Sequence, residues 1–178
     1  MHKDCERVLI SEEELKVMVK KMADQISEDY KDKNLLLVGL LKGSVMFMAD
    51  LMKEISVDCK IDFICVSSYG AGTESQGRIN LIKDVSQSVE GVDVLIVEDI
   101  IDSGNTLSFI LKYFEAKGAS SVKICTLLSK PDRRVVEIPV DYVGAEIPDE
   151  FVIGYGLDYA ENYRNLPYVG ILKRSAYS

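Results

Sequence analysis

Residues 35–40 read LLLVGL, six consecutive apolar or small residues with no polar position among them. A strand with one face in water alternates apolar and polar side chains, so a run without alternation is typical of a strand covered on both faces. Such strands belong to parallel sheets that carry helices on each side. Since a helical pattern follows at residues 44–54, the sequence predicts a three-layer α/β/α domain with a mostly parallel sheet.

The rest of the chain continues this alternation of helices and strands. Ser11 and Glu14 form a capping-box pattern that opens a predicted helix ending near Tyr30. The further predicted elements are strands at residues 57–67, 79–85, 92–97 and 122–128, and a helix at residues 107–117 closed by Gly118. After the N-terminal helix, the predicted order is therefore β-α-β-β-β-α-β.

Two segments depart from this pattern. The stretch that follows residue 67 is polar and rich in glycine, which predicts a mobile loop. From Pro131 onward, short strands and loops replace the long helices, and we expect this tail to fold back over the sheet. The total of 178 residues fits a single domain.

Charge and hydropathy exclude several classes of protein. The chain has 21 Lys and Arg against 29 Asp and Glu, a net charge of −8, which does not suit a protein that neutralises nucleic-acid phosphates. The longest apolar stretch, near residues 35–41, is far shorter than the roughly 20 residues that span a bilayer. The N-terminus lacks the apolar core of a signal peptide. We therefore expect a cytoplasmic protein that binds neither nucleic acid nor membrane.

Cysteine and histidine offer little for catalysis. The four cysteines show no C-x-x-C spacing, and we interpret them as reduced core thiols. His2 is the only histidine, at a terminus that we expect to fray, which argues against a Ser-His-Asp triad or a histidine-rich zinc site. Acid-base chemistry must then depend on carboxylates, lysines or tyrosines.

Ligands of such domains bind at the carboxyl ends of the strands, which directs attention to the loops after Leu40, Ser67 and Val97. In the third loop, Glu98, Asp99 and Asp102 precede Ser-Gly-Asn-Thr at a predicted helix start. Hydroxyls and free N–H groups at a helix N-terminus suit a phosphate monoester, although the same residues also form ordinary strand-to-helix turns. Burying two acids at the end of a strand costs free energy unless ligands compensate it. Glu98 and Asp99 therefore favour a binding site over an ordinary turn.

The sequence VLIVEDIIDSGNTL at residues 94–107 resembles the phosphoribosyl-pyrophosphate motif of type I phosphoribosyltransferases, and in particular their hypoxanthine-guanine branch. The resemblance extends over about residues 7–172. Its further motifs are LLKGS at residues 40–44, SY at 68–69, LSK at 128–130 and DEFVIGYGLDY at 149–159. It implies one phosphoribosyltransferase domain over residues 1–178, with a hood from about 1–15 and 130–178 and a flexible active-site loop at about 69–80.

The resemblance assigns the phosphoribosyl group to the 98–106 segment. Glu98 and Asp99 would accept hydrogen bonds from the ribose hydroxyls, and Asp102 would also exchange a proton with N7 of the purine. The residues around the 5′-phosphate would be Asp102, Ser103, Gly104, Asn105 and Thr106. Asn105 stands where some relatives carry a basic residue, and this difference would weaken phosphate binding without abolishing it.

Pyrophosphate and purine are assigned to the other motifs. Leu41, Lys42 and Gly43 resemble the pyrophosphate loop, which often has a cis peptide before the lysine position, and Arg164 matches the family's pyrophosphate-binding arginine. The implied purine site consists of Lys130 facing the 6-oxo group, Phe151 stacking on the base, the Val152 backbone and Asp158. The implied ligands of Mg²⁺ are Glu98, Asp99 and Asp158. Ser68 and Tyr69 would lie on the flexible loop that closes over the reacting centre.

The function implied is transfer of the phosphoribosyl group of phosphoribosyl pyrophosphate to N9 of hypoxanthine or guanine, giving IMP or GMP and pyrophosphate, with Mg²⁺. A non-catalytic nucleotide-sensing regulator on the same fold is the alternative, and the acidic charge argues against it. A P-loop kinase is excluded because G-x-x-x-x-G-K-[S/T] does not occur. The sequence does not decide which base is preferred. It also leaves the choice between homodimer and homotetramer open, although Met46, Phe47 and Met48 could supply an apolar subunit contact.

Overall fold

The computed structural model describes residues 1–69 and 78–177. Its elements are β1 (Cys5–Ile10), α1 (Glu12–Asp29), β2 (Leu35–Leu40), α2 (Val45–Glu54), β3 (Cys59–Tyr69), β4 (Arg78–Lys83), β5 (Asp93–Ile101), α3 (Asn105–Ala116), β6 (Ser121–Ser129), β7 (Tyr142–Glu146), β8 (Val152–Ile153) and β9 (Val169–Leu172). The order predicted after the N-terminal helix is confirmed. No helix among these residues is long and apolar enough to cross a membrane.

Six strands form the larger sheet, in the order β4-β3-β2-β5-β6-β7. All neighbours in it pair in parallel except β3 and β4, which are antiparallel. The predicted, mostly parallel sheet is confirmed. β7 falls within the segment 130–178 assigned to the hood, yet it pairs with β6 at the edge of this sheet.

Helices cover both faces of the sheet, which explains why β2 is apolar throughout. Leu35 and Leu37 pack on the side of α1 and α2, where Phe47 is completely buried. Leu36 and Val38 pack on the opposite side, against α3 and its buried residue Phe114. Successive side chains of a strand point to opposite faces, so both sets must be apolar.

A second, three-stranded sheet joins the two ends of the chain. β9 lies between β1 and β8 and is antiparallel to both. The sequence analysis did not identify β1, since its partner lies about 160 residues away. His2 is also held in place, because its backbone N–H donates to the Tyr168 hydroxyl at 2.8 Å and its ring packs edge-on against Tyr163. The expectation of a frayed terminus is wrong at this residue.

Two boundaries near the third loop differ from the prediction. β5 continues to Ile101, because Ile100 and Ile101 pair with the last residues of β6. Glu98 and Asp99 therefore lie inside the strand and not after it. α3 begins at Asn105, two residues earlier than predicted, because Gly104 adopts a left-handed conformation with φ of 86° at its N-cap.

The cysteines and α2 also refine the sequence interpretation. All four cysteines are free thiols, and Cys5 and Cys125 are buried. On α2, Phe47 and Met48 belong to the core, whereas Met46 is 38% exposed. Of the three residues considered for a subunit contact, only Met46 presents apolar surface to a partner.

Phe114→Ala should lower the free energy of unfolding by roughly 3 to 5 kcal/mol, because it leaves a cavity between α3 and the sheet. Urea unfolding followed by circular dichroism measures the loss. Val17→Ala is the control, since Val17 is 71% exposed on α1 and its truncation should change stability by no more than about 0.5 kcal/mol. A loss below about 1 kcal/mol for Phe114→Ala would contradict this packing.

Candidate active site

The candidate residues converge because β2, β5 and β6 are parallel neighbours. Gly39 of β2 lies opposite Val97 of β5, which in turn lies opposite Cys125 of β6. The carboxyl ends of the three strands therefore open at the same edge of the sheet. Lys42 follows the first of these strands, Asp102 follows the second, and Lys130 follows the third.

Glu98 and Asp99 form an acidic pair at the end of β5. The Asp99 side chain accepts the backbone N–H of Ile100 at 2.7 Å, and the Glu98 side chain accepts that of Asp99 at 3.0 Å. The Asp99 carboxylate also lies against the loop after β2, where a Cβ atom on Gly43 would be 1.8 Å from its Oδ2. Glycine at residue 43 is therefore required for this close approach.

Burial raises the pKa of the Glu98 carboxyl well above its ordinary value, and the Asp99 charge raises it further. Burial also raises the pKa of Asp99, although hydrogen bonds from its neighbours oppose the shift. The two carboxyls titrate as a pair, and charging both at once is unfavourable. Hydroxyl donors or a cation at this position would relieve the repulsion.

The loop from Asp102 to Gly104 leaves the start of α3 open. Gly104 is the N-cap and supplies no side-chain hydrogen bond, and the Ser103 hydroxyl accepts only a long bond of 3.3 Å from the Asn105 backbone N–H. The first-turn N–H groups and the positive end of the helix dipole thus remain available to an anion. The small cavity at this point is lined by Glu98, Ile100, Ile101, Ser103, Gly104, Thr106 and Leu107.

Two of the larger cavities lie elsewhere on the molecule. One, of 280 Å³, lies between α1 and α2, and the other, of 540 Å³, lies between α1 and β7. None of the candidate site residues lines either of them. Cavity size therefore does not identify the site, whereas the chemistry at the strand ends does.

Arg134 holds the loop from Asp102 to Gly104 against β6, and sequence reasoning missed it. Its Nε donates to the Asp102 carbonyl at 3.3 Å, and its Nη2 donates to the Ser129 hydroxyl at 2.9 Å. The backbone N–H groups of Val135 and Val136 donate to the Ser103 carbonyl at 2.9 and 3.0 Å. An arginine in a charged loop carries no sequence signal of this role, because its contact with Asp102 and those of Val135 and Val136 with Ser103 join segments about 30 residues apart.

Lys130 lies between two carboxylates. Its Nζ is 3.6 Å from Oδ1 of Asp102 and 3.7 Å from Oδ1 of Asp149. The lysine side chain is 10% exposed, whereas each carboxylate is half exposed. Asp149 belongs to a motif that the sequence analysis singled out, but its side chain was not among the candidate site residues. A mostly buried ammonium beside a half-exposed carboxylate can present both a donor and an acceptor to one ligand.

Phe151 presents an aromatic face to solvent. Its ring is 37% exposed, stacks on Tyr177 at 5.1 Å between centroids and meets Tyr159 edge-on at 5.4 Å. A plain core aromatic would be buried, so this exposure favours a stacking surface for a ligand. Val152 follows in β8, where it pairs with Ile171 of β9.

Lys42 follows a cis peptide bond between Leu41 and Lys42. Its Nζ lies 2.6 Å from Oε2 of Glu161, a residue absent from the sequence-based candidates. Gly156 brings the two loops together, since a Cβ atom at this position would be 2.1 Å from the Gly43 carbonyl oxygen.

Arg164 shares the Glu161 carboxylate with Lys42. Its Nη1 donates to the Gly156 carbonyl at 2.7 Å and lies 3.0 Å from Oδ1 of Asp158, while its Nη2 lies 3.2 Å from Oε1 of Glu161. Nε of Arg164 is buried and has no hydrogen-bond partner within residues 1–69 and 78–177. The guanidinium therefore keeps a donor for a further anion.

The three predicted metal ligands do not form one preassembled cluster. Glu98 and Asp99 are adjacent, whereas Asp158 pairs with Arg164. Across the described part of the chain, no three His, Cys, Asp or Glu side chains group into a metal site. Mg²⁺ commonly takes one or two protein carboxylates and completes its shell with substrate oxygens and water, so the acidic pair fits this ion.

The flexible loop predicted at about residues 69–80 is only partly described. The backbone of Ser68 and Tyr69 lies in β3, and Tyr69 pairs with Arg78 of β4. Residues 78–80 belong to β4 and not to a loop. The remainder of the predicted loop, residues 70–77, lies outside the described residues.

Comparisons with known proteins agree with this arrangement. A family model of the phosphoribosyl transferase domain matches residues 10–160. The hypoxanthine-guanine phosphoribosyltransferases of Staphylococcus epidermidis and Streptococcus pyogenes are 54% and 51% identical over the whole chain and 99% of each relative. The crystal structure of a hypoxanthine phosphoribosyltransferase from Staphylococcus aureus matches with a TM-score of 0.96 at 51% identity, covering 100% of this chain and 97% of that one. The chain therefore belongs to the phosphoribosyltransferase family.

Proposed function

We propose that the chain is a purine-salvage enzyme that transfers the 5-phosphoribosyl group of phosphoribosyl pyrophosphate to N9 of hypoxanthine and guanine. The products are IMP or GMP and pyrophosphate. The observation that carries the proposal is the position of Lys130, whose ammonium faces Asp102 directly beside the open start of α3. A steady-state assay with hypoxanthine, guanine, xanthine and adenine tests it and also identifies the preferred base.

The acidic pair and the phosphate loop would hold the phosphoribosyl group. Glu98 and Asp99 accept the ribose hydroxyls, which relieves their mutual repulsion without adding charge. The 5′-phosphate lies at the start of α3, where the Ser103 and Thr106 hydroxyls and the N–H groups of Gly104 and Asn105 supply donors. The hydrogen bond from Arg134 to the Asp102 carbonyl supports this assignment, because it would hold the loop backbone in place before a ligand arrives.

The pyrophosphate would bind between the loop of Leu41, Lys42 and Gly43 and the guanidinium of Arg164. The planar fork of arginine suits two phosphate oxygens, and the lysine adds a point charge. Glu98, Asp99 and Asp158 would hold Mg²⁺, which would supply positive charge for the pyrophosphate oxygens. The loop of residues 41–43 and the Arg164 guanidinium would orient the pyrophosphate and keep it in line with the ribose.

The purine would stack on the exposed ring of Phe151, with its edge bonded to the Val152 backbone and its 2-position near Asp158. Lys130 donates to the 6-oxo group, and Asp102 accepts the proton at N7. One ammonium next to one carboxylate thus matches adjacent acceptor and donor atoms of a 6-oxopurine. Nothing in the described residues favours the alternative of a non-catalytic regulator.

We further propose one phosphoribosyltransferase domain over residues 1–178, acting as a homodimer or homotetramer. The exposed apolar residues Val45, Met46 and Met52 on α2 are 41%, 38% and 36% exposed and offer a contact surface. Light scattering on the purified chain measures the number of subunits.

Asp102→Asn should lower kcat roughly 10² to 10⁴-fold and leave binding of phosphoribosyl pyrophosphate nearly unchanged. The amide keeps the shape of the side chain but cannot take a proton. Asp132→Asn is the matched control, because Asp132 is exposed on a neighbouring loop and lies outside the proposed site. An unchanged kcat for Asp102→Asn across the pH range would refute the assignment.

Lys130→Gln should narrow the preference for hypoxanthine over adenine. An ammonium only donates and is left unpaired against the 6-amino group, whereas an amide presents either a donor or an acceptor. We expect the unmodified protein to favour hypoxanthine by about 10⁴ or more in kcat/KM, and the variant to reduce this ratio at least tenfold. Lys112→Gln on the exposed side of α3 is the control. If the ratio does not move, another group reads the 6-position.

Glu98→Gln should stabilise the ligand-free protein at neutral pH. The raised pKa of Glu98 means that the folded state holds a proton more tightly than the unfolded chain. The free energy of unfolding therefore decreases as pH rises above the ordinary glutamate pKa, and the neutral amide removes this cost. We expect a gain of about 0.5 to 2 kcal/mol at pH 7.5 that vanishes near pH 4.

Urea unfolding at the two pH values measures this gain. Glu90→Gln, at an exposed position, is the control and should show no comparable effect at either pH. A gain of equal size at pH 4 and pH 7.5 would contradict a cause in the charge of Glu98.

A further inference from the structure

Glu161 forms ion pairs with both cations that we assign to pyrophosphate, Lys42 and Arg164. Its Oε2 is 2.6 Å from Nζ of Lys42, and its Oε1 is 3.2 Å from Nη2 of Arg164. One carboxylate thus uses its two oxygens as a bridging phosphate group would use two of its own. Hydrogen bonds from both cations lower the pKa of Glu161, so the bridge is charged at neutral pH.

The backbone around Glu161 is arranged to place this carboxylate. Ala160, Glu161 and Tyr163 have positive φ values of 49°, 64° and 75°, a conformation that side-chain-bearing residues rarely adopt. The turn is fixed by paired backbone hydrogen bonds between Tyr159 and Asn162, at 3.2 and 3.0 Å. Backbone strain of this kind persists only where the surrounding structure imposes it.

The contacts of Glu161 are exposed and easily exchanged. The Lys42 and Glu161 side chains are 65% and 64% exposed, so solvent screens their attraction. Arg164 keeps Gly156 and Asp158 as partners when Glu161 leaves. A polyanion with more oxygens and more charge can therefore displace the carboxylate without dismantling the site.

We propose that Glu161 is an internal competitor that sets the affinity for pyrophosphate. It bridges Lys42 and Arg164 in the ligand-free site, is displaced by the pyrophosphate end of the substrate, and returns as the pyrophosphate product departs. The inference rests on the proposed function, because it takes Lys42 and Arg164 as the pyrophosphate cations. Without this competitor, Lys42 would lose its Glu161 partner and Arg164 would keep only Gly156 and Asp158, so the two cations would hold the product more tightly.

A purely structural role for Glu161 predicts an effect of opposite sign. If the carboxylate only oriented the two cations, its loss would disorder them and weaken pyrophosphate binding. If it competes with the ligand, its loss must strengthen binding, because the ligand no longer breaks two ion pairs to enter. The sign of the change therefore separates the two roles.

The test is calorimetric titration of inorganic pyrophosphate, with Mg²⁺ present, into the unmodified protein, Glu161→Gln and Glu161→Ala. We expect both variants to bind pyrophosphate about two- to fivefold more tightly, the range for losing exposed ion pairs. The product-inhibition constant of pyrophosphate in the transfer assay should fall by the same factor. Glu12→Gln is the matched control, since it removes an exposed carboxylate paired with Lys16 at 3.0 Å on α1.

Weaker or unchanged pyrophosphate binding in the two Glu161 variants overturns the proposal, provided that thermal unfolding shows both to be folded. Two variants are used because glutamine keeps the side-chain length, whereas alanine removes every contact. Failure of the proposed function has a different signature, namely the absence of phosphoribosyl transfer in the unmodified protein. Transfer that is intact, with variants that bind no more tightly, rejects the role of Glu161 alone.

Discussion

Parallel hydrogen bonding between β2, β5 and β6 is the constraint on which the rest of the molecule depends. Strands in this register need crossover helices, which cover both faces and force each strand to be apolar throughout. The same register aligns three carboxyl ends at one edge of the sheet. Lys42, Asp102 and Lys130 follow those ends and become neighbours, although nearly 90 residues separate the first from the last.

At this edge, the cations that we assign to ligands already have protein carboxylates as partners. Lys130 faces Asp102 and Asp149, while Glu161 bridges Lys42 and Arg164. Within residues 1–69 and 78–177, Glu98 and Asp99 form no ion pair with a cation, and burial raises the pKa of both carboxyls although the charge of Arg164 opposes the shift at Asp99. In the proposed reaction, the ligand groups replace these protein carboxylates as partners of the cations. The cations are therefore paired both before and after binding, and binding costs less free energy than it would if unpaired ions had to be buried.

Close backbone approach sets the dimensions of the site. Gly43 touches the Asp99 carboxylate, and Gly156 touches the carbonyl of Gly43, so three segments meet with no room for a Cβ atom. Arg134 also connects the loop from Asp102 to Gly104 to the end of β6. Such contacts hold donors and acceptors in place before a ligand binds, which favours catalysis by positioning.

The sequence by itself determined the layered fold and the order of elements from α1 to β6, because hydrophobic periodicity and capping residues such as Ser11 act locally. It also identified the segment from Glu98 to Thr106, whose acids and small polar residues are conspicuous beside an apolar strand. Only the tertiary structure decided the pairing of β1 with β9, the extension of β5 through Glu98 and Asp99, and the contacts of Arg134, Asp149 and Glu161. These features join residues far apart in the chain, and no local pattern encodes which distant partner a strand or a charge will meet.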